Sequence, residues 1–333
     1  MVKRAAVALL AAAVTMPVAG CGLHRGSVRA FPTTPGRSDG APLPPPGHVT
    51  ARIRLRHRPT GVAFGNGRLW VTADDATVTA VDPASNRPVK TAPVGRWPLQ
   101  VAFEPHGLWV ANSDDDTVMR LDPASSRRLD TVRVGQHPVS VATAGDQLWV
   151  ANGFDDTVTR IDTRTGTVAA TIPVGPVPAD LRALAVGDGA VWVTVQDAVV
   201  RLDPQTGRVL SRILVHDPAG VAPGGGALWV SDSDDSTLVR IDPRSNRIVA
   251  RIRVGIAPTA VALAGGFVWV VNSGENSVSQ IDAASNRVVA RISAGVHVYD
   301  LTAGAGSVWM QSYGDSSVYR IQPSSPRLRG DVA

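Results

Sequence analysis

Seven consecutive units of about 40 residues, each holding short strands with alternating polar and apolar residues, predict an all-β protein, a seven-bladed β-propeller of four-stranded antiparallel blades. Each unit contains one tryptophan between apolar neighbours. The seven tryptophans are Trp70, Trp109, Trp149, Trp192, Trp229, Trp269 and Trp309. No segment has the 3.6-residue apolar periodicity of an amphipathic helix. Seven units of this length fit one closed ring.

The third unit shows the elements of a blade most clearly. Its strands are expected at about 140–143, 147–151, 157–162 and 168–174, and we name them A to D from the ring centre outward. Asp, Asn, Ser and Gly dominate the turns, because they accept hydrogen bonds from their own turn or adopt a left-handed conformation. In a propeller the D-to-A junctions and B-to-C turns lie on one face, here called the upper face, and the remaining turns lie on the lower face.

The two ends of the repeat region are expected to complete each other. Residues 51–55 read like the D strand at 250–254, yet they precede the first A strand. The last unit has no good D strand after Ile321. Strand 51–55 therefore is predicted to complete the last blade, which removes sheet edges that would otherwise be exposed.

The N-terminus has the parts of a secretory signal peptide. Lys3 and Arg4 precede an apolar run, and Val-Ala-Gly-Cys at 18–21 resembles the bacterial lipoprotein box, whose cysteine is acylated. We expect residues 1–20 to be removed and Cys21 to be lipidated. This predicts an extracytoplasmic protein that is anchored to the bacterial cell membrane through its lipid.

The rest of the chain divides by composition. Residues 21–50 are rich in Pro and Gly and are expected to form an extended tether. The propeller is expected at 51–323, followed by a short tail at 324–333. Without Lys3 and Arg4 the chain carries 31 basic and 28 acidic residues, a net charge of +3, which argues against nucleic acid as a partner. A monomer is expected.

The repeats resemble the YVTN family of β-propeller proteins, over residues 51–323. The third unit carries the match, with Leu-Trp-Val-Ala-Asn at 148–152, Asp-Asp-Thr-Val at 155–158, Ile-Asp at 161–162 and Val-Gly at 174–175. Tryptophan replaces the family's usual tyrosine. The resemblance implies a propeller outside the cytoplasm, and it implies no particular activity, because many members have none assigned.

Function is expected where the repeat is broken, since a ligand is rarely seven-fold symmetric. The D-to-A junctions, aligned on their Val-Gly text, give a variable column, and the last unit adds an aromatic residue and a carboxylate. The candidate ligand-binding residues at this channel mouth are His57, Trp97, His137, Asp217, His297, Tyr299 and Asp300. Histidine can bind a metal or titrate near neutral pH, and aromatic rings can stack on a ligand. The alternative is that these are solvated loop residues.

Two further series are interpreted as scaffold. Acidic pairs recur in the B-to-C turns, as at Asp74-Asp75 and Asp155-Asp156, without the ordered ligand spacing of a calcium loop, so turn chemistry is expected. Arginines recur on the C strands, where an outward, solvated strand face is expected; these are Arg120, Arg160, Arg201, Arg240 and Arg320.

The sequence is compatible with three candidate functions. The first is a binding or interaction module whose upper face takes a protein partner or a small ligand. The alternative is a metal-assisted lyase or hydrolase with a divalent metal at the mouth, resembling the virginiamycin B lyases in architecture only, whose His/Glu group has no match here. Glu104 and Glu275 are the only glutamates. Nucleic-acid binding comes last, and no catalytic motif is present.

Overall fold

The computed structural model describes residues 46–104, 107–175 and 180–323. These residues form 28 strands in seven four-stranded antiparallel sheets, with a short 3₁₀ turn at Ser113–Asp115. The predicted seven-bladed propeller is confirmed. None of the described segments is a helix of the length and apolarity that a bilayer crossing requires. The signal peptide, Cys21, most of the tether and the tail lie outside the described residues.

Each of the first six blades is built from four strands that follow one another in the chain. Blade 1 holds β2 Pro59–Gly65, β3 Arg68–Ala73, β4 Thr77–Asp82 and β5 Arg87–Pro93; blade 2 holds β6 Pro98–Glu104, β7 Gly107–Asn112, β8 Thr117–Leu121 and β9 Arg128–Arg133; blade 3 holds β10 Pro138–Ala144, β11 Gln147–Asn152, β12 Thr157–Asp162 and β13 Thr167–Pro173. Blade 4 holds β14 Ala183–Gly187, β15 Ala190–Val195, β16 Ala198–Leu202 and β17 Val209–Leu214; blade 5 holds β18 Pro218–Gly224, β19 Ala227–Asp232, β20 Thr237–Asp242 and β21 Arg247–Arg253; blade 6 holds β22 Pro258–Ala264, β23 Phe267–Asn272, β24 Ser277–Asp282 and β25 Arg287–Ser293.

Blade 7 joins the two ends of the repeat region. It holds β26 Val298–Gly304, β27 Ser307–Ser312 and β28 Ser317–Gln322, and its outermost strand is β1 His48–Arg54. β1 pairs with β28 in a register that sets Ile53 opposite Val318. The predicted closure is therefore observed, and the strand begins at His48, three residues earlier than the sequence pattern indicated.

The tryptophans hold neighbouring blades together. All seven are at most 2% exposed. Each packs into an apolar cluster formed with the next blade, as Trp149 does with Val191 and Val200 of blade 4, and Trp309 does with Val62 of blade 1. Burial of side chains this large is the main apolar contribution that a blade interface can make.

The C-strand arginines also join blades, so the expected solvated face is wrong. Five guanidinium groups lie 4.9–5.6 Å from the ring centroid of the tryptophan on the neighbouring B strand, namely those of Arg120, Arg160, Arg201, Arg240 and Arg320. Each also donates hydrogen bonds to the C-to-D turn of the next blade, as Arg240 does to the carbonyl of Ala283 and to Asn286 Oδ1. We call this combination of a guanidinium over the indole and hydrogen bonds across the blade interface the clasp.

The C-to-D turns on the lower face follow the predicted turn chemistry. Asp242 Oδ1 accepts the backbone N–H of Arg244, and Asp242 Oδ2 accepts the Ser245 hydroxyl. These bonds favour the charged carboxylate and lower the pKa of Asp242. Asn246 completes the turn with a φ of 56°, in the left-handed region. The same arrangement recurs round the lower face, so these positions are scaffold.

Candidate functional site

The upper face is built from junctions that bond to the B-to-C turn of their own blade. The junction carbonyls of Trp97, His137 and His297 accept the first backbone N–H of the turn at 2.9–3.1 Å. In blade 1 the equivalent carbonyl belongs to Arg58, which accepts from Asp74 N–H at 3.0 Å. Arg58, and not His57, therefore occupies the column of Trp97 and His137. The alignment was one residue off because the first junction lacks the glycine that marks the others.

Several residues of this column shape the junction through their backbone conformation and their backbone hydrogen bonds. Trp97, His137 and His297 have φ values of 49°, 53° and 52°, in the left-handed region. The N–H of His137 binds Asp116 Oδ1 of the preceding blade at 2.9 Å, and the N–H of His297 binds Asn276 Oδ1 at 2.7 Å. These bonds tie each junction to its neighbour and account for part of the column without any ligand.

The imidazole of His137 packs inside its own blade. It stacks on Phe154 with ring centroids 4.2 Å apart and an interplanar angle of 11°. Burial disfavours the charged ring and lowers the pKa of His137. The surroundings of His137 therefore favour its neutral ring, which is part of a packed turn.

The three predicted histidines do not form one metal site. His57 Nε2 lies 3.1 Å from Asp75 Oδ2, within blade 1. Among the described residues, two groups have three or more metal-ligating side chains in reach of one ion, and neither includes His137 or His297. Within the described part of the chain, the three predicted histidines therefore do not come together around one metal ion.

Asp217 belongs to a charged group between blades 4 and 5. Arg182 makes ion pairs with Asp217 and with Asp180, the latter at 3.3 Å. Asp180 has taken the junction position of blade 4, since its φ is 48° and its N–H binds Asp156 Oδ1 at 3.1 Å. Arg182 follows Asp180 by two residues, at the position that Val139 holds after His137 in blade 3, so the repeat pattern has no arginine there.

Asp300 lies on the innermost strand of blade 7 and bonds to blade 1. Its Oδ2 accepts the N–H of Val62 at 3.0 Å, and its Oδ1 accepts the N–H of Leu301 at 2.8 Å. Desolvation outweighs these bonds and raises the pKa of Asp300 to about 6. Ser140 makes the same connection to Leu184 N–H between blades 3 and 4. Asp300 thus accepts a hydrogen bond between blades 7 and 1, and its burial disfavours the charged carboxylate.

Aromatic groups collect at the same junction. Burial raises the pKa of Tyr299, and the neighbouring Tyr313 raises it further. The guanidinium of Arg58 lies 5.2 Å from the Tyr313 ring centroid, across the boundary between blades 7 and 1. The Tyr299 carbonyl accepts the Thr259 hydroxyl of blade 6 at 3.0 Å. Tyr299 and Asp300, both predicted, lie together here, whereas Arg58 and Tyr313 were missed.

Two large apolar side chains are exposed in the upper loops of blades 6 and 7. Of the exposed large apolar residues in the described chain, eight lie on outer strands, and two, Ile256 and Val296, lie in junctions. Ile256 is 58% exposed and Val296 is 44% exposed. Glycines lie beneath them, since a Cβ on Gly274 or Gly314 would come within 2.7 Å of these side chains. The same position is polar in blades 1, 2, 3 and 5, where it holds His57, Arg96, Gln136 and His216.

We call Ile256, Val296, Tyr299, Tyr313 and Arg58 the blade 6–7 sector. It combines exposed aliphatic groups, two tyrosines and an arginine on one part of the upper face. The sequence signal that could have revealed it is the loss of polar residues directly after the junction glycines Gly255 and Gly295.

The two glutamates are both engaged in ion pairs. Glu104, on the A-to-B side, lies 3.1 Å from Arg120. Glu275 Oε1 accepts the Ser277 hydroxyl at 2.7 Å and lies 3.7 Å from Arg291. Neither forms a His/Glu pair with the predicted histidines among the interactions of the described chain.

No family model and no curated protein matches the chain. Two similar solved structures are a hydrazine synthase of Kuenenia stuttgartiensis, with a TM-score of 0.73 and 16% identity, and a streptogramin B lyase, with a TM-score of 0.72 and 17% identity. The matches cover 82% of this chain in both cases, and 98% and 97% of the other chains. At such identities the likeness shows the propeller fold alone.

Proposed function

We propose that the protein is a non-catalytic binding module, a propeller of the YVTN repeat class, that docks a protein partner on the blade 6–7 sector. The observation that carries the proposal is the exposure of Ile256 and Val296 in upper loops whose counterparts in blades 1, 2, 3 and 5 are polar. Tyrosine and arginine are enriched where protein interfaces gain most of their binding energy. Tyr313 precedes Gly314, over which Val296 lies, and Arg58 lies over the Tyr313 ring.

The asymmetry of the ring supports a docking face rather than random variation. The charged group of Asp180, Arg182 and Asp217 lies about halfway round the ring from the boundary of blades 7 and 1. A partner bound to the sector would contact apolar and aromatic groups, while charged and polar groups lie on other parts of the upper face. Protein interfaces usually combine an apolar centre with a polar rim.

The proposal includes the anchored, extracytoplasmic location. β1 starts with His48 opposite Gln322, at the end of β28 that leads to the lower face. β1 therefore starts at the lower face, on the side opposite to the junctions that carry the blade 6–7 sector. A monomeric propeller on a lipid and a spacer suits such a role.

Site-specific photo-crosslinking tests the docking face. We place benzoylphenylalanine at Ile256, and at Val249 as a matched control, because Val249 is 57% exposed and lies on the outer strand of blade 5. Irradiation of intact cells is expected to give a discrete protein adduct from position 256 and none from position 249. The adduct is expected to disappear when Val296→Asp is added, since a charge in the patch opposes burial.

Equal adducts at the two positions, or no adduct at position 256, contradict the proposal. Circular dichroism and the unfolding midpoint of the Val296→Asp variant serve as the folding control. Because Val296 is exposed, both are expected to stay close to those of the unmodified protein.

A further inference from the structure

Blade 1 carries a cluster of metal-ligating side chains whose place in the ring differs from the predicted mouth. One ligand atom each of His57, Asp74 and Asp75 lies within 4.8 Å of the others. We propose that this cluster binds a divalent transition-metal ion, with Zn²⁺ favoured over Mn²⁺. The inference is independent of the docking face, because its ligands belong to blade 1 alone.

The spacing of the three donors suits a single ion. Bonds from a divalent ion to nitrogen or oxygen are about 2.0–2.4 Å long, so two donors on opposite sides of it are about 4–5 Å apart. The donors of His57, Asp74 and Asp75 fall within that span without a change of backbone. His57 Nε2 and Asp75 Oδ2 already converge to 3.1 Å.

Among the ion pairs of the described residues, blade 1 lacks the one that a D-strand arginine makes with the acidic turn in blades 4 to 7. In those blades the D strand carries an arginine that pairs with the acidic turn of its own blade; the pairs are Arg212 with Asp197, Arg251 with Asp235, Arg291 with Glu275 and Arg52 with Asp315. In blade 1 the same register position holds Thr91. The salt bridge of Asp75 that the described chain shows is to His57.

The space of the missing arginine is a cleft. It has a volume of about 210 Å³ and is bordered by His57, Asp75 and the threonines Thr77, Thr79 and Thr91. Thr77 Oγ1 donates to Asp75 Oδ1 at 2.7 Å, which orients the carboxylate as an outer ligand partner does in metal sites. The cleft leaves room for the water ligands that complete a site with three protein ligands.

Two nearby arginines bear on the site. Arg58 donates its backbone N–H to Asp74 Oδ1 at 3.2 Å, while its guanidinium lies over Tyr313. Arg56 borders the cleft, and its charge opposes a bound cation. Arg56→Gln is therefore expected to tighten metal binding.

Blade 5 supplies an internal comparison. His216, Asp232 and Asp235 form a second cluster, in which His216 takes the junction position of His57 and Asp232 takes the position of Ala73. There Arg251 Nη1 lies 3.1 Å from Asp232 and 3.9 Å from Asp235, so a guanidinium already holds the place of a cation. The proposal therefore predicts one metal ion per chain, in blade 1.

The choice of metal follows from the ligands. One imidazole and two carboxylates offer a mixed nitrogen and oxygen set, which suits Zn²⁺ and Mn²⁺ better than the all-oxygen sites of Ca²⁺. For such a set Zn²⁺ binds more tightly than Mn²⁺ by the general order of divalent affinities.

Equilibrium dialysis of the purified protein against Zn²⁺, read by elemental mass spectrometry, tests the site. We expect one ion per chain with a dissociation constant of about 10 μM or lower. His57→Ala and Asp75→Asn are each expected to weaken binding by about tenfold or more. Thr91→Arg keeps all three ligands and installs the arginine of blades 4 to 7, so it is expected to abolish binding while the fold is retained.

The matched control is His216→Ala, which removes the equivalent histidine of blade 5 and is expected to leave binding unchanged. Absence of a stoichiometric ion at 100 μM metal, on the order of ten times that dissociation constant, overturns the proposal. So does an unchanged affinity in Thr91→Arg, or a loss in His216→Ala that equals the loss in His57→Ala.

Discussion

At the scale of single residues, the upper face contains side chains whose charge is set by burial. Asp300 is the clearest case, because its two backbone donors, Val62 and Leu301, do not compensate for its desolvation and its pKa is raised to about 6. The carboxyl group links blades 7 and 1. Its ionisation therefore couples the solution pH to the stability of the ring.

Asp300→Asn tests this coupling. The folded pKa of Asp300 lies above the unfolded value near 4, so its contribution to stability is fully present below pH 4 and is lost as the pH rises through about 6. Relative to the Asp300→Asn variant, the unmodified protein is expected to lose roughly 2–3 kcal/mol of unfolding free energy between pH 4 and pH 7. Urea unfolding at a series of pH values measures the difference.

Asp242→Asn is the control for that experiment. The pKa of Asp242 is lowered by its turn hydrogen bonds, so the sign is opposite, and the advantage of the aspartate over the variant is lost as the pH falls below 4. If the difference in stability between the unmodified protein and the Asp300→Asn variant does not change with pH, Asp300 is not desolvated as described.

At the scale of elements, the blades are joined by tryptophan and arginine acting together. Trp229 is fully buried against blade 6, and Arg240 covers its ring at 5.0 Å while it donates to the next blade's lower turn. Two blades lack this clasp, because Ala80 and Gln280 replace the arginine. In blade 6, Gln280 Oε1 accepts the N–H of Gly47 at 2.8 Å instead.

Arg240→Ala is expected to destabilise the protein by about 1–3 kcal/mol. The substitution removes the cation from the Trp229 ring and leaves Ala283 and Asn286 acceptors without their donor. Chemical denaturation measures the loss. Arg244→Ala, in the exposed turn of the same blade, is the matched control and is expected to change the stability by less than about 0.5 kcal/mol. Equal effects would contradict the clasp.

At the scale of the whole molecule, closure depends on one strand. β1 supplies the outer edge of blade 7, and Ile53, which is 3% exposed, packs with Trp309 and Val318. Without β1 the edge of β28 is open to pairing with another chain.

Ile53→Ala is expected to cost about 2–5 kcal/mol, as for other large core residues. Val49→Ala, on the same strand but 37% exposed, is expected to cost about 0.5 kcal/mol or less. Deletion of residues 46–54 is expected to produce self-association in size-exclusion chromatography. A deleted protein that stays monomeric with an unchanged unfolding midpoint would contradict the closure.

The repeat pattern predicted the blades well because every blade reuses the same local chemistry: an alternating strand, a buried tryptophan and an Asp-led turn. It predicted contacts across blades less well. The role of Arg240 depends on a turn 43 residues away, and the local pattern of one blade does not show a contact with the next blade.

The candidate site was predicted in part. Tyr299 and Asp300 lie together at the boundary of blades 7 and 1, but His57 and His137 are engaged inside their own blades. Arg58 was missed because its junction lacks the glycine that sets the alignment. Ile256 and Val296 were missed because an exposed apolar residue is identified by its surroundings, which the sequence alone does not provide.

The most direct measurement is a crosslinking scan round the upper face at equivalent junction positions, with benzoylphenylalanine in turn at His57, Arg96, Gln136, Ile256 and Val296. If the partner binds at the apolar junction residues, the same protein adduct forms from positions 256 and 296 and is absent from positions 96 and 136. Adducts spread evenly over all five positions, or found only at 96 and 136, would contradict a partner site on the blade 6–7 sector.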